Sequence, residues 1–332
     1  MLPLIVLLGA TASGKTALSL ALAQHLDAEI LSCDSVAVFR HMEVGTAKPT
    51  PHERTLVPHH LLDLYDPDQL STAGDYARHA RAVLGELATR NTLPILSGGT
   101  GLYLRALLDG LSPSPPATPT LRLLLRRRAE LRSPAHLHRT LARLDLRAAE
   151  RIHPNDLPKV IRAIEVSVAL RVPITEQWQQ QGRDALTGYA VLRLGLDPPR
   201  PALYERINRR AASMFANGLV EEMGELIARF GPACRPFTSL GYAEAAAVLR
   251  KELTPAAAIA AAQQGHRNYS KRQRTWFRRE AKLHPVHWLR DFGDSPAVIE
   301  DALALVSAHL KDLPSENVAT EAAPPDRSPV EN

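Results

Sequence analysis

Short apolar runs alternate with helical patterns in the first part of the chain. Residues 2–8 (LPLIVLL) form a continuous run of apolar side chains, which predicts a buried parallel strand. A glycine-rich loop follows at residues 9–16, then a helical pattern over residues 17–26 and a second strand over residues 29–33. This order of strand, loop, helix and strand is typical of a βαβ unit. The pattern therefore predicts an α/β protein built on a mostly parallel sheet.

The alternation continues and is then interrupted. Residues 72–90 have a helical pattern, and residues 93–97 form another short apolar run. After the proline-rich segment at residues 112–119, only helical patterns occur until about residue 178, and a strand pattern returns at residues 189–196. An all-helical insertion within an α/β core explains this order more simply than two consecutive domains.

Composition places the chain among ordinary globular proteins. Hydrophobic residues make up 45% of the chain and charged residues 23%, which excludes a disordered, collagenous or coiled-coil protein. The two cysteines, Cys33 and Cys234, are too few for a four-thiolate metal site and indicate a reducing compartment. The first apolar run spans seven residues with no positive charge before it, which predicts neither a signal peptide nor a membrane span. We therefore expect a cytoplasmic protein.

Residues 9–16 (GATASGKT) match the phosphate-binding loop G-x-x-x-x-G-K-[ST], and they lie between a predicted strand and a predicted helix, as this motif requires. Glycines allow the backbone N–H groups to point at a phosphate, and the helix N-terminus adds partial positive charge. We expect Lys15 to reach the outer phosphate and Thr16 to bind Mg²⁺. Phosphate binding is assigned to the whole motif: Gly9, Ala10, Thr11, Ala12, Ser13, Gly14, Lys15 and Thr16.

The motif also suggests a division of the 332 residues into domains. We expect residues 1–115 and 186–312 to form a core of the P-loop NTPase type with a parallel sheet, and residues 116–185 to form an all-helical insertion. Residues 313–332 are polar, acidic and rich in proline, the composition of a disordered tail.

A carboxylate, Asp34, lies at the end of the second predicted strand. Because ligands of open α/β sheets bind at the carboxyl ends of the strands, Asp34 is placed to hold Mg²⁺, to act as a general base, or to cap a helix beginning at Ser35. The strand at residues 93–97 ends instead in SGGT, without the metal-binding carboxylate that a P-loop kinase would normally carry there.

Six blocks of the sequence stand in a distinctive order and spacing. They are GATASGKT at residues 9–16, SCDSVAVFRHMEVGTAKP at 32–49, SGGTGLYLRALLDGL at 97–111, RIHPNDLPKVIRAIEV at 151–166, GYAE at 241–244 and KRQRTWFRR at 271–279. GTAKP, GGTGLY and HPND are far more specific than the P-loop. Together the blocks resemble the tRNA dimethylallyltransferase family over roughly residues 4–310.

The resemblance implies transfer of a dimethylallyl group from dimethylallyl diphosphate to N6 of the adenosine at tRNA position 37, with release of diphosphate. The P-loop then binds an allylic diphosphate rather than ATP, and Mg²⁺ helps to stabilise the leaving group. Adenine N6 is a poor nucleophile, because its lone pair is delocalised into the ring. The resemblance therefore makes Asp34 the candidate general base that takes the N6 proton.

Further site residues follow from the same match. Thr100 is expected to orient the adenosine, with capping of the next helix as an alternative role. Arg210 matches the family's diphosphate-binding arginine, and Arg206, four residues earlier, shares its helix face. For both arginines a solvated helix face is the alternative. The expected catalytic residues are Asp34, Thr100 and Arg210, and Arg206 joins the P-loop in binding diphosphate.

The resemblance also implies where tRNA is bound. The contacts are expected in the loop after the second strand, in the GGTG turn and in the helical insertion. The residues are Asp34, Ser35, Val36, Ala37, Thr100, Arg122, Pro158, Lys159, Val160, Ile161 and Arg162. Thr238, Ser239, Leu240 and Ala243 stand where many relatives carry more polar or basic residues, so no RNA contact is assigned to that loop.

The charge distribution favours an RNA partner independently of the resemblance. The whole chain carries a formal charge of +5. Residues 122–151 contain nine arginines and three acidic residues, and residues 266–282 contain seven basic residues and one acidic residue. Each segment has a larger positive excess than the whole chain, as expected of surfaces that bind a polyanion.

Other functions stay open at this point. One is an isopentenyltransferase acting on free adenine nucleotides, and another is a small-molecule P-loop kinase. A non-enzymatic RNA-binding protein is disfavoured because Lys15, Thr16, Asp34 and Arg210 are present together. We expect the protein to act as a monomer with tRNA and dimethylallyl diphosphate as its partners, away from membranes.

Overall fold

The structure, a computed structural model, describes residues 1–112, 115–180 and 184–313. Part of the proline-rich segment, residues 113 and 114, lies outside this range. The predicted disordered tail also lies outside it from residue 314 onward. Among the described residues, no helix is both long and apolar enough to cross a lipid bilayer.

A six-stranded sheet forms the centre of the fold, and every paired strand is parallel to its neighbour. The order across the sheet is β3-β2-β4-β1-β5-β6. The strands are β1 (Leu2–Gly9), β2 (Ala28–Cys33), β3 (His59–His60), β4 (Leu93–Gly98), β5 (Tyr189–Leu196) and β6 (His287–Leu289). The predicted α/β class with a parallel sheet is confirmed.

Helices account for most of the remaining chain. They are α1 (Lys15–Leu26), α2 (Pro51–Leu56), α3 (Ala73–Thr89), α4 (Gly101–Leu108), α5 (Pro119–Arg132), α6 (Pro134–Leu144), α7 (Leu146–Arg151), α8 (Leu157–Leu170), α9 (Ile174–Gln180), α10 (Arg200–Ala216), α11 (Leu219–Phe230), α12 (Tyr242–Leu249), α13 (Pro255–Glu280) and α14 (Pro296–Lys311). A short 3-10 helix, Arg235–Thr238, precedes α12. No strand lies between β4 and β5 among the described residues, which agrees with the helical patterns of that region.

The central position of β1 explains its continuous apolar run. β1 pairs with β4 on one side and with β5 on the other. Its residues from Leu4 to Leu8 are at most 1% exposed, because a parallel strand inside an α/β sheet is covered on both faces. Leu18 and Leu22 of α1 are fully buried in the cluster that also holds Ile5 and Leu7. This packing fixes α1 directly behind the loop that follows β1.

The chain divides into two compact units. The first contains the sheet and consists of Met1–Thr72, His79–Gly101 and the described residues from Gly188 onward. The second consists of Ala73–Arg78 and Leu102–Thr187 and contains α4 to α9. The second unit has its own apolar core, in which Leu137, Leu141 and Val160 are at most 1% exposed.

Candidate functional site

The P-loop connects β1 to α1, and the conformation of its turn requires glycine at position 14. Gly14 has φ 94°, and a Cβ there would lie 2.5 Å from the backbone nitrogen of Gly293. Lys15 Nζ donates hydrogen bonds of 2.9 Å to the carbonyl oxygens of Gly9 and Ala10. The lysine is therefore folded onto its own loop, in a position from which a phosphate oxygen could replace the two carbonyls.

Two partly buried cations, Lys15 and Arg210, lie beside the loop. Burial and the nearby charge of Arg210 lower the pKa of Lys15 to about 8, although Asp34 acts in the opposite direction. Burial also lowers the pKa of Arg210. Arg210 donates a 3.3 Å hydrogen bond to the carbonyl of Thr46, and its Nε has no hydrogen-bond partner among the described residues. Because partly buried cations without an ion-pair partner are costly, this arrangement is suited to an anionic ligand.

Asp34 follows β2, and its carboxylate organises the turn after it. One oxygen, Oδ1, accepts the backbone N–H groups of Val36 at 2.8 Å and Ala37 at 3.2 Å. The segment after Asp34 is a turn and not a helix, so the alternative role of helix cap does not apply in that form. The Thr100 hydroxyl accepts the Ser35 N–H at 3.0 Å and donates to the Ser35 hydroxyl at 3.3 Å. These hydrogen bonds join the turn after Asp34 to the turn that carries Thr100.

Two adjoining spaces bring these residues together. A cleft of about 680 Å³ is lined by Lys15, Thr16, Arg206 and Arg210, among others. An inner cavity of about 130 Å³ is lined by Lys15, Thr16 and Arg210 again, and also by Asp34. The three shared residues form a common wall. The expected diphosphate-binding residues and the expected general base therefore belong to one continuous site.

Arg206 is held in place by two contacts. Its Nη1 donates to Asp294 at 2.8 Å, and its guanidinium lies 3.6 Å from the centroid of the Phe292 ring. Arg206 and Arg210 both belong to α10, as their spacing predicted. The pairing orients Arg206 toward the cleft and leaves part of its side chain, 33%, exposed.

Sequence reasoning missed several residues of α13 that line the site. Tyr269 and Gln273 line the inner cavity. Burial raises the pKa of Tyr269 to about 12, and the charge of Asp34 adds to this, whereas hydrogen bonding to Thr100 opposes it. Tyr269 therefore keeps its proton at neutral pH. The helical spacing of these residues within and just before the KRQRTWFRR block was the signal available in the sequence.

His266, also on α13, lies beside Arg210. The two residues line a small space together with Thr11. Burial and the charge of Arg210 lower the pKa of His266 to about 4, so the imidazole is neutral near pH 7. Its Nε2 has no hydrogen-bond partner among the described residues. No sequence pattern distinguished His266 from the other basic residues of that segment.

The residues expected to contact tRNA in the helical unit occupy different environments. Pro158 and Lys159 are exposed, and Lys159 pairs with Asp156. Val160 and Ile161 are buried in the core of the unit, so their side chains pack inside and do not face a ligand on the surface.

Arg122 and Arg162 share a buried partner, Glu165. Arg122 donates to both Glu165 oxygens at 3.0 and 2.8 Å, and Arg162 donates at 2.5 Å. Burial of the carboxyl acts to raise the pKa of Glu165, but the hydrogen bonds from Arg122 and Arg162 hold it below the usual value. Both arginines remain about one-third exposed. They are thus oriented by Glu165 while keeping donors at the surface.

The two basic segments differ once folded. In α5 to α7 eight arginines are exposed: Arg126, Arg127, Arg128, Arg132, Arg139, Arg143, Arg147 and Arg151. In α13, by contrast, Arg274 and Arg278 form ion pairs with Asp197 at 2.7 and 3.5 Å. The positive charge counted along α13 is therefore partly neutralised by a residue distant in sequence.

The parallel sheet and the strand–loop–helix geometry of the P-loop define a P-loop α/β protein. A family model described as IPP transferase matches residues 37–280, and one described as isopentenyl transferase matches residues 2–62. The tRNA dimethylallyltransferase of Koribacter versatilis is 58% identical over 91% of this chain and 97% of its own length. The chain belongs to the tRNA dimethylallyltransferase family, as the resemblance predicted.

Other relatives agree with this membership. The tRNA dimethylallyltransferase of Solibacter usitatus is 48% identical over 93% of this chain and 99% of its own. Among solved structures, the tRNA isopentenylpyrophosphate transferase of Bacillus halodurans is 33% identical with a TM-score of 0.69, covering 94% of this chain and 97% of that one.

Proposed function

We propose that this protein transfers the dimethylallyl group of dimethylallyl diphosphate to N6 of the adenosine at position 37 of tRNA and releases diphosphate. The observation that carries the proposal is the shared wall of the site. Lys15, Thr16 and Arg210 line both the cleft and the cavity that holds Asp34. A base thus lies beside a site prepared for an anionic leaving group. The relatives from Koribacter versatilis and Solibacter usitatus carry the name tRNA dimethylallyltransferase.

Diphosphate departure is the first requirement of this chemistry. Ionising the allylic C–O bond places developing negative charge on the diphosphate, and preorganised donors stabilise such charge most in a water-poor site. Lys15 would exchange the carbonyls of Gly9 and Ala10 for phosphate oxygens. Arg210 has an unused Nε–H beside the same space, and Arg206 lines the cleft. These cations would hold the leaving group as the bond breaks.

Activation of the acceptor is the second requirement. Asp34 would take the N6 proton as the new C–N bond forms, so that the product nitrogen is neutral. Its Oδ1 is held by two backbone N–H groups, which orients the carboxylate. Thr100, bonded to Ser35, would orient the adenine. The target adenine is expected to leave the anticodon stack to reach this cavity, as in other enzymes that modify a nucleobase.

The residues present fit a magnesium ion. The Thr16 hydroxyl lines the inner cavity and offers an oxygen ligand of the kind that Mg²⁺ prefers. Thr16 would hold the ion together with diphosphate oxygens. When bound, Mg²⁺ neutralises part of the diphosphate charge.

Binding of the tRNA would use the helical unit. The exposed arginines of α5 to α7, the exposed Lys159 and the arginines oriented by Glu165 supply phosphate-binding donors. Phosphate contacts of this kind position the RNA, whereas the target base is read in the cavity.

One assay separates the candidate functions. The protein is incubated with labelled dimethylallyl diphosphate and with an anticodon stem-loop, AMP or ATP, and the same stem-loop with guanosine at position 37 is the control. We expect label in the adenosine stem-loop alone. Label in AMP but not in RNA would assign the protein to free nucleotides, and no transfer to any acceptor would reject the prenyltransferase.

A further inference from the structure

One face of α13 packs against the turn formed by residues 98–101. Tyr269, Gln273 and Trp276 are spaced four and three residues apart and so lie on the same side of the helix. A Cβ at Gly99 would lie 2.2 Å from Gln273 Nε2, and a Cβ at Gly101 would lie 2.4 Å from the Trp276 ring. The glycines therefore allow the helix to contact the turn at a distance that side chains would prevent.

Gln273 connects this turn to the P-loop. Its Oε1 accepts the backbone N–H of Thr11 at 2.9 Å, and its Nε2 donates to the carbonyl of Gly99 at 3.0 Å. The side chain is 6% exposed. Because one partner is a donor and the other an acceptor, a carboxamide satisfies both in a single orientation. One amide thus spans the loop that carries Lys15 and the turn that carries Thr100.

We propose that Gln273 is a positioning residue that sets the distance between the diphosphate end and the adenosine end of the site. This inference rests on the proposed function. In that reaction one carbon loses its bond to the diphosphate oxygen and gains a bond to adenine N6, whose proton goes to Asp34. The rate of such a transfer depends on the relative placement of the two substrates, since a misplacement of about 1 Å can lower the rate about 100-fold.

A positioning role for Gln273 predicts a specific kinetic effect when its side chain is replaced. The hydrogen bonds of Gln273 go to backbone atoms of the two loops, so its loss should leave binding of each substrate nearly intact. The turnover number should fall instead. A displaced acceptor also gives water access to the allylic carbon, which would form dimethylallyl alcohol, diphosphate and a proton without prenylated RNA.

Two substitutions test the bridge that the Gln273 side chain forms between Thr11 and Gly99. Gln273→Met keeps the length of the side chain and removes both hydrogen bonds, whereas Gln273→Glu keeps an acceptor for Thr11 and loses the donor for Gly99. The matched control is Gln264→Met, an exposed glutamine of the same helix that bonds to Asn268. The measurements are kcat, KM for both substrates, and the ratio of diphosphate released to prenylated adenosine, with the Tm of each variant.

For the Gln273 variants we expect kcat to fall about 100-fold with each KM within about threefold of wild type, and the product ratio to rise above one. The Gln264 control should match wild type. Unchanged kcat and ratio, or a rise in KM alone, would overturn the positioning role. Absence of transfer by the wild-type protein would instead reject the proposed function, so the two failures are distinguishable.

A double-mutant cycle gives a second, independent readout. Gly99→Ala should displace the Gln273 amide and lower kcat in the same way, because the added methyl overlaps Nε2. In a Gln273→Ala background the methyl has room, so Gly99→Ala should cause little further loss. Fully additive losses would show that the two residues act separately and would overturn the bridge.

Discussion

The phenol of Tyr242 donates a 2.6 Å hydrogen bond to the carboxylate of Glu222. The same carboxylate accepts the backbone N–H groups of Glu43 and Val44 at 3.0 and 2.8 Å. Residues of α11 and α12 thereby hold the loop that accepts a hydrogen bond from Arg210. The tyrosine of the GYAE block is fully buried. Through Glu222, its hydroxyl stabilises the loop that contacts Arg210.

Tyr242→Phe is expected to lower the free energy of unfolding by about 1–3 kcal/mol, because Glu222 loses a buried donor. The KM for dimethylallyl diphosphate should also rise as the loop loosens. Urea unfolding and steady-state kinetics check this. Tyr204→Phe is the control, since its hydroxyl bonds to Arg200 at an exposed position. Unchanged stability in Tyr242→Phe would contradict the supporting role.

Asp34→Asn should reduce kcat by about 10²–10⁴-fold while RNA binding is retained. Asparagine keeps an oxygen for the N–H groups of Val36 and Ala37, so the turn is preserved and only the base is lost. Single-turnover transfer and the Kd for the stem-loop are the measurements. An equal loss of RNA affinity would identify Asp34 as a structural residue.

The pH dependence of diphosphate binding should report Lys15, whose pKa is lowered to about 8 by burial and by Arg210. Below that pH the free protein already carries the charged ammonium. Above it, binding must take up a proton, so the Kd should rise by up to about tenfold per pH unit. Calorimetry from about pH 6 to about pH 10 checks this. Lys15→Gln should bind weakly throughout and lack this rise; an identical profile would assign the titration elsewhere.

Lys159→Gln should weaken stem-loop binding and reduce the slope of log K against log salt by about one unit, because one phosphate contact is lost. Lys159 is suited to this test since its side chain is 71% exposed. Lys251→Gln, at an exposed position after α12, is the control and should keep both values. Arg122 and Arg162 are less suitable, because removing either one leaves the buried Glu165 with fewer donors. An unchanged slope for Lys159→Gln would exclude a phosphate contact there.

The eight-residue strand β5 was predictable from the sequence, and the two-residue strand β3 was not. β5 spans Tyr189–Leu196, the range that its pattern predicted, because eight residues of a sheet interior leave a clear signal. β3, His59–His60, has two residues and therefore no period to detect. It exists because β2 lies beside it and pairs with both of its residues.

The sequence by itself determined the α/β class, the P-loop motif and the family, because each depends on local pattern or on a contiguous block. It also predicted Asp34, Thr100 and Arg210 as candidate site residues. Only the tertiary structure revealed the bridge from Thr11 to Gln273, which joins residues 262 positions apart. The same holds for the pairing of Arg122 and Arg162 with Glu165. Such contacts depend on how helices pack against loops, and a buried polar side chain shows its partner only when the chain is folded.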